Sequence, residues 1–247
     1  IDMLNRAVES DLLVKNVAYG INTILNDEEV EEKRILSDEE IEILLNTKKG
    51  CSLQNFLILG LGTGMRMGEM LGLTWDCVDF DKGIIQVRQT LAYLPNNGEA
   101  IYEFHRPKTK AGKRDIPMTV EVKDALLRQQ RWKSHVSIRH NPRVGMEDLV
   151  FCSKTNNPIN ESNIRGAIRY LVDKINRENP DLDFRPFTPH GLRHTFASLL
   201  ASSGKVDLLT LQKLLTHGSP QMTQRYAHLH DAALKKASSV IDELVKE

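Results

Sequence analysis

The stretch GIIQVRQTLAYLPNNGEAIYEFHRPKTKAGKRDIPM, residues 83–118, is where the chain changes character. From Ile84 to Leu94 it is rich in β-branched and aromatic residues, Asn96-Asn97-Gly98 is a turn signal, and Ala100 to Phe104 returns in the same manner. A second turn, Lys108 to Asp115, leads into Ile116-Pro117-Met118. Together with the residues from Cys77 onward this predicts one small antiparallel sheet. On both sides of it apolar residues recur at helical spacing, so the expected class is mainly α with a small antiparallel β-sheet, an α+β domain.

Upstream of the sheet, Ser37 and Glu40 form a capping box for a helix through Leu45. A second helix is expected over 52–61, its end loosened by Gly60, Gly62 and Gly64, and a third from Arg66 to Leu71. Downstream, Thr119 caps a helix over 120–133, and others are expected over 161–177 and 189–203. Thr188 caps the latter, Pro189 occupies its first position and Gly204 stops it. Further helices are expected over 207–215, 220–229 and 231–245. At the other end, Ile1, Leu4, Ala7, Val8, Leu12 and Leu13 mark one amphipathic helix that runs out near Asn16 and Gly20. Residues 26–36 are acidic and polar and read as a linker or as a solvated helix face. The expected organisation is a piece of one domain over 1–25, a linker over 26–36 and a second domain over 37–247.

The 247 residues and 28.0 kDa suffice for an ordinary apolar core. Thirty-three basic and 33 acidic side chains cancel, but the charge is sorted along the chain. Residues 1–43 carry 12 acids against 4 bases, whereas residues 105–143 carry 11 bases against 3 acids. Cys51, Cys77 and Cys152 are odd in number and lie in apolar contexts, which points away from a disulfide framework and toward a reducing cytoplasm. The most apolar stretch, Phe56 to Met65, is broken by glycines and falls far short of the roughly 20 residues that cross a bilayer, so no membrane association is expected. The chain opens in a helical pattern without a methionine, and sequence upstream of Ile1 is expected.

Four motifs bear on chemistry, and each has a plain reading beside the functional one. In GTGMRMGEMLGLTW a glycine-rich turn delivers Arg66 to a helix start with Glu69 at i+3, which is also the spacing of an ordinary ion pair. The basic turn Arg106 to Arg114 could be a solvated turn or a phosphate-contacting loop through Lys110, Lys113 and Arg114. In PHGLRH, His190 and Arg193 share a face near a helix N-terminus, where an anion is stabilised. Pairing His190 with His194 as metal ligands is the competing reading, but Gly191 stands where the metalloprotease motif has its glutamate, and no metal is assigned. In LLTHGSPQMTQRYAH, His217 precedes a capped helix that carries Tyr226, a residue type that is most often a surface or boundary side chain.

Taken together and in this order, G-T-G-M-R-M-G-E at 62–69, P-K-T-K at 107–110, H-G-L-R-H at 190–194 and T-H-G-S-P-Q-M-T-Q-R-Y-A-H at 216–228 resemble the tyrosine recombinase (phage integrase) family. The resemblance covers residues 37–247. It implies that Arg66, Lys108, His190, Arg193, His217 and Tyr226 are catalytic, with Tyr226 the nucleophile and Glu69 a buttress for Arg66. It also implies that residues 1–25 are the last helix of a core-binding domain. One departure is Leu215-Thr216 before His217, where many members have leucine and glycine.

The activity so implied is site-specific DNA cutting and rejoining through a covalent 3′-phosphotyrosine, with neither ATP, metal nor any other cofactor. Lys108 is the implied general acid and His190 the implied base. The implied partner is double-stranded DNA bound by a homo-multimer, a tetramer, in the cytoplasm. Type IB topoisomerase-like relaxation, or a non-catalytic DNA-binding regulator on the same fold, stand as alternatives. The enlarged hairpin at 91–105 leans toward a phage or mobile-element integrase.

Overall fold

The computed structural model describes residues 2–17, 34–47, 49–96, 99–106, 112–215, 223–224 and 226–230. The chain divides into two units, Ile1–Lys33 and Arg34–Glu247. In the first, α1 (Asp2–Glu9) is shorter than its apolar repeat suggested. Asp11 takes a φ of +56°, and bonds from Leu12 N to Ala7 O (2.8 Å) and Asp11 N to Val8 O (3.1 Å) close the helix as a Schellman turn. Leu12 and Val14 are left exposed.

The second unit begins inside the stretch read as linker. Leu36 is buried and its amide donates to Thr195 Oγ1 at 3.0 Å, while the Arg34 guanidinium pairs with Glu40. The capping box follows as expected: Glu40 N donates to Ser37 Oγ (3.2 Å) and Ser37 N to Glu40 Oε2 (2.9 Å), opening α2 (Asp38–Asn46). Next comes α3 (Ser52–Thr63), then α4 (Met67–Leu71). The glycines that were expected to loosen α3 do not: Gly60 and Gly62 lie within it. A Cβ on Gly60 would meet Leu192 at 2.9 Å, and one on Gly62 would meet Val122 at 2.4 Å. They are the places where neighbouring helices approach closely.

The strand-rich stretch forms two sheets instead of the expected one. In the first, β1 (Val78–Asp79), β2 (Ile84–Val87) and β5 (Arg114–Pro117) pair antiparallel in the order β1-β2-β5. The second is a hairpin of β3 (Thr90–Asn96) and β4 (Glu99–His105), in register from Thr90 with His105 to Asn96 with Glu99, so that two residues connect the strands as the Asn-Gly signal predicts. The ladder breaks at Arg88-Gln89, where Gln89 Nε2 donates to the Gly72 carbonyl just beyond α4 (3.0 Å). The hairpin then runs against α4, leaving β2 to pair with β5.

The remaining helices are α5 (Val120–Arg139), α6 (Glu161–Glu178), α7 (Pro189–Ser202) and α8 (Leu208–Leu215). Thr119 and Thr188 cap α5 and α7 through their hydroxyls, to Val122 N and Gly191 N. α5 and α7 both pack on α3, and the core gathers Phe56, Leu59, Ile85, Leu126, Phe151, Ile168 and Leu192. A smaller cluster of Ala197, Ala201, Leu211 and Leu215 joins α7 to α8 and includes Tyr226. Residues 223–224 and 227–230 are helical; the helix expected over 231–245, and most of that expected over 220–229, lie outside the described residues.

Candidate active site

The site forms where the turn between α3 and α4 meets α7. Gly64 ends α3 with a φ of +60°, and a Cβ there would stand 2.4 Å from Phe196 Cδ1. Only glycine lets this turn lie against α7 in that conformation. The close approach brings the Gly64 carbonyl to Arg193 Nη1 at 2.7 Å, and Arg193 Nη2 donates to the carbonyl of Leu215 at the end of α8. Arg193 is 3% exposed, so its guanidinium is held in place by backbone. Burial lowers its pKa to about 10, with the Arg66 and Arg114 charges adding to the drop and Glu69 and Tyr226 opposing it. It therefore stays cationic at neutral pH.

Arg66 leads into α4. Its amide donates to Glu69 Oε2 (2.8 Å) and its Nη1 to Oε1 (3.1 Å), while 41% of its side chain stays open to solvent. The Glu69 side chain is only 5% exposed and receives a second arginine as a fork: Arg114 Nη1 to Oε1 at 3.0 Å and Nη2 to Oε2 at 2.8 Å. Burial alone would raise the Glu69 pKa, but the hydrogen bonds and charge of Arg114, then those of Arg66, outweigh it and hold the carboxyl below 4.5.

Arg114 therefore departs from its expected place as a DNA contact on the basic turn. In β5, Arg114 and Ile116 lie two residues apart, so they share a sheet face, and Ile116 is buried. Strand register turns Arg114 inward onto Glu69. Lys113, one residue earlier, is exposed. Lys108, Lys110 and His217 lie outside the described residues.

Tyr226 is 6% exposed, seated against Ala197, Ala201, Leu211 and Leu215. Its hydroxyl lies 2.5 Å from His194 Nδ1, and in its ionised form it would interact with the Arg193 charge. His190 is exposed on the same face of α7, its ring edge-to-face with that of His194 at 4.6 Å between centroids. From sequence alone, His194 stands out only as a candidate metal partner of His190 at i+4. Among the described residues no group of three or more His, Cys, Asp or Glu side chains is placed to hold a metal ion. What brings His194 to Tyr226 is a contact across 32 residues; the one local signal for it is its position directly after Arg193 in HGLRH.

One end of α7 thus gathers two arginines, a doubly anchored carboxylate, two histidines and a buried phenol. Such a set can bind an oxyanion and bring a phenolic oxygen to it. Residues 33–233 match the phage integrase family, and the chain belongs to that family. Among its relatives, the transposase from transposon Tn916 of Enterococcus faecalis is 31% identical over 98% of this chain and 58% of its own length. A XerC-like tyrosine recombinase of Caldanaerobacter subterraneus subsp. tengcongensis is 28% identical over 97% of this chain and 63% of its own. The chain thus spans about three fifths of these relatives. In three dimensions it is similar to the integrase of transposon Tn1549 in complex with transposon right end DNA, with TM-score 0.78, 27% identity, and coverage of 96% of this chain and 75% of that one. The XerA recombinase is similar at TM-score 0.62 and 26% identity, covering 83% and 64% of the two chains. No helix among the described residues is long and apolar enough to cross a membrane.

Proposed function

We propose that this chain is the DNA-cutting and DNA-joining part of a site-specific recombinase or integrase, acting through a covalent 3′-phosphotyrosine on Tyr226. The observation that carries the reading is the convergence of Arg66, Arg193 and Tyr226 on one end of α7, with Glu69 and Arg114 holding Arg66 from behind. The relatives add support, including the Tn1549 integrase bound to transposon DNA.

A free phenol has a pKa of about 10, so only about one in a thousand is ionised at neutral pH. Attack on phosphorus therefore needs local positive charge and a proton acceptor. The open side of Arg66 offers donors to the non-bridging oxygens of a phosphodiester. Arg193 uses Nη1 and Nη2 on carbonyls, and a guanidinium has five N–H donors, so it retains others for the phosphate. By analogy with other preorganised donors, each arginine would contribute about 3 to 4 kcal/mol to the five-coordinate transition state. Lys108 on the basic turn is the proposed acid for the departing 5′ oxygen, and His190 and His217 complete the phosphate pocket. The phosphotyrosine retains the energy of the broken ester, so rejoining draws on neither ATP nor a metal ion.

The proposed setting is the cytoplasm, on double-stranded DNA contacted by Lys110 and Lys113, in a homo-multimer that we take to be a tetramer. Ala233, Leu234, Ala237, Val240, Ile241 and Leu244 make an apolar stripe in sequence, suited to docking on a neighbouring subunit. Residues 1–25 are proposed to end a core-binding domain and 26–36 to link it to the catalytic domain. The test is covalent trapping. The wild-type chain should form an SDS-resistant protein–DNA adduct in the presence of EDTA, and Tyr226→Phe should bind DNA equally and form none. An adduct with Tyr226→Phe, or a requirement for a divalent ion, would overturn the reading.

A further inference from the structure

Tyr226 cannot attack until its proton leaves, and proton transfer needs an acceptor within hydrogen-bond reach of the phenolic oxygen. The histidine in that place is not the one the family resemblance nominates. Tyr226 Oη lies 2.5 Å from His194 Nδ1, whereas His190 is exposed and its ring stands edge-to-face with that of His194. The contact is built and not incidental. His194 projects from the second turn of α7, a helix fixed on α3, and Tyr226 is confined to 6% exposure by Ala197 and Ala201 from the same helix and by Leu211 and Leu215 from α8. Arg193, the neighbouring residue, lies close enough to interact with the tyrosine once it ionises, so a phenolate formed here would face a fixed cation.

We infer that His194 is a catalytic residue, the general base that takes the Tyr226 proton through Nδ1 as the phenolic oxygen attacks the scissile phosphate. This inference rests on the reading of Tyr226 as nucleophile. In cleavage the Tyr226 O–H bond breaks and its proton passes to the Nδ1 lone pair of neutral His194. The oxygen–phosphorus bond forms, the bond from phosphorus to the 5′ oxygen breaks, and that oxygen takes a proton from Lys108. On rejoining, the attacking 5′ hydroxyl gives its proton to the Lys108 amine, and the His194 imidazolium returns its own to the departing tyrosine oxygen. His190, edge-to-face with the His194 ring and open to solvent, is left to face the phosphate.

Asparagine places an amide near the position of Nδ1 and can bond the phenol without accepting its proton, so His194→Asn separates base from scaffold. The probe is a nicked duplex carrying the site selected by the Tyr226→Phe chain from random-sequence duplexes, with adduct formation timed on denaturing gels. His194→Asn should bind this duplex as the wild type does and form adduct about 100-fold more slowly. Replacing Tyr226 by 3,5-difluorotyrosine, whose phenol is far more acidic, should return most of that rate. A sulfur at the 5′ bridging position, which relieves the need for an acid, should return none of it. His190→Asn should be slow without rescue by the fluorinated tyrosine.

Wild-type or faster adduct formation by His194→Asn would overturn the inference, the faster case identifying the contact as a latch on the tyrosine. So would a slow variant that the fluorinated tyrosine fails to rescue, or rescue that appears with His190→Asn instead. In each of these cases a wild-type adduct on Tyr226 leaves the recombinase reading standing. Absence of any wild-type adduct removes both.

Discussion

Glu69 is the residue on which the site's positive charge is organised, because a single buried carboxylate holds Arg66 on one side and the Arg114 fork on the other. Removing the Arg114 fork leaves the buried carboxylate with the half-exposed Arg66 as its one cationic partner among the described residues, so Arg114→Ala is expected to lower unfolding stability by about 3 kcal/mol in urea titrations. A change within experimental error would show that Arg114 is dispensable to Glu69. The carboxyl also makes a prediction about pH. Its pKa in the folded chain lies below 4.5, so as pH falls the unfolded chain takes up the proton first. Its stabilising contribution is therefore complete above about pH 4.5 and disappears as pH drops through the folded value. Unfolding free energies measured between pH 7 and pH 3 should fall less steeply for Glu69→Gln than for the wild type; parallel curves would contradict the assignment. The Arg66–Glu69 pair was legible as an i, i+3 spacing. Arg114 was not, since its partner lies 45 residues away and its inward direction depends on strand register. His194 escaped for the same kind of reason: its neighbour in space is remote in sequence.

At the scale of elements, α3 is the post against which the site is assembled, with α5 on one side and α7 on the other. Alanine in place of a mid-helix glycine ordinarily stabilises a helix by about 1 kcal/mol. At Gly62 the added methyl would stand 2.4 Å from Val122 Cγ2 on α5, and overpacking of this kind costs about 1 to 3 kcal/mol. Gly62→Ala should therefore destabilise the chain, and the same change made in a Val122→Ala background should be neutral or stabilising. Equal effects in the two backgrounds, read from denaturant midpoints, would exclude the close approach as the cause. The helix starts at Ser37, Thr119 and Thr188 were legible because capping is a local hydrogen bond between residues two or three apart. The two-residue spacing between β3 and β4 was legible because the turn signal is likewise local in sequence. The split into two sheets was not, because β-propensity marks strands and is silent on which strands pair, and here Gln89 ties the chain to Gly72 at the break. The role of the α3 glycines was not legible, because sequence alone does not show what a missing Cβ makes room for.

Across the whole molecule, Arg66, Arg114, Arg193 and Tyr226 come from four separate parts of the chain and meet only because α3, α7 and α8 pack as they do. This explains why each motif was ambiguous singly and why their order in the chain was decisive. It also makes the proposed chemistry dependent on the folded domain as a unit, so phosphotyrosine formation is best tested on the intact chain with a DNA duplex. The most direct measurement is to incubate the wild-type chain with a nicked duplex carrying its selected site, denature, digest with protease and nuclease, and identify the nucleotide-bearing peptide by mass spectrometry. A single modified residue is expected, Tyr226, joined through phosphate to the 3′ end of the cleaved strand. A nucleotide on any other side chain, or attachment to a 5′ end, would contradict it.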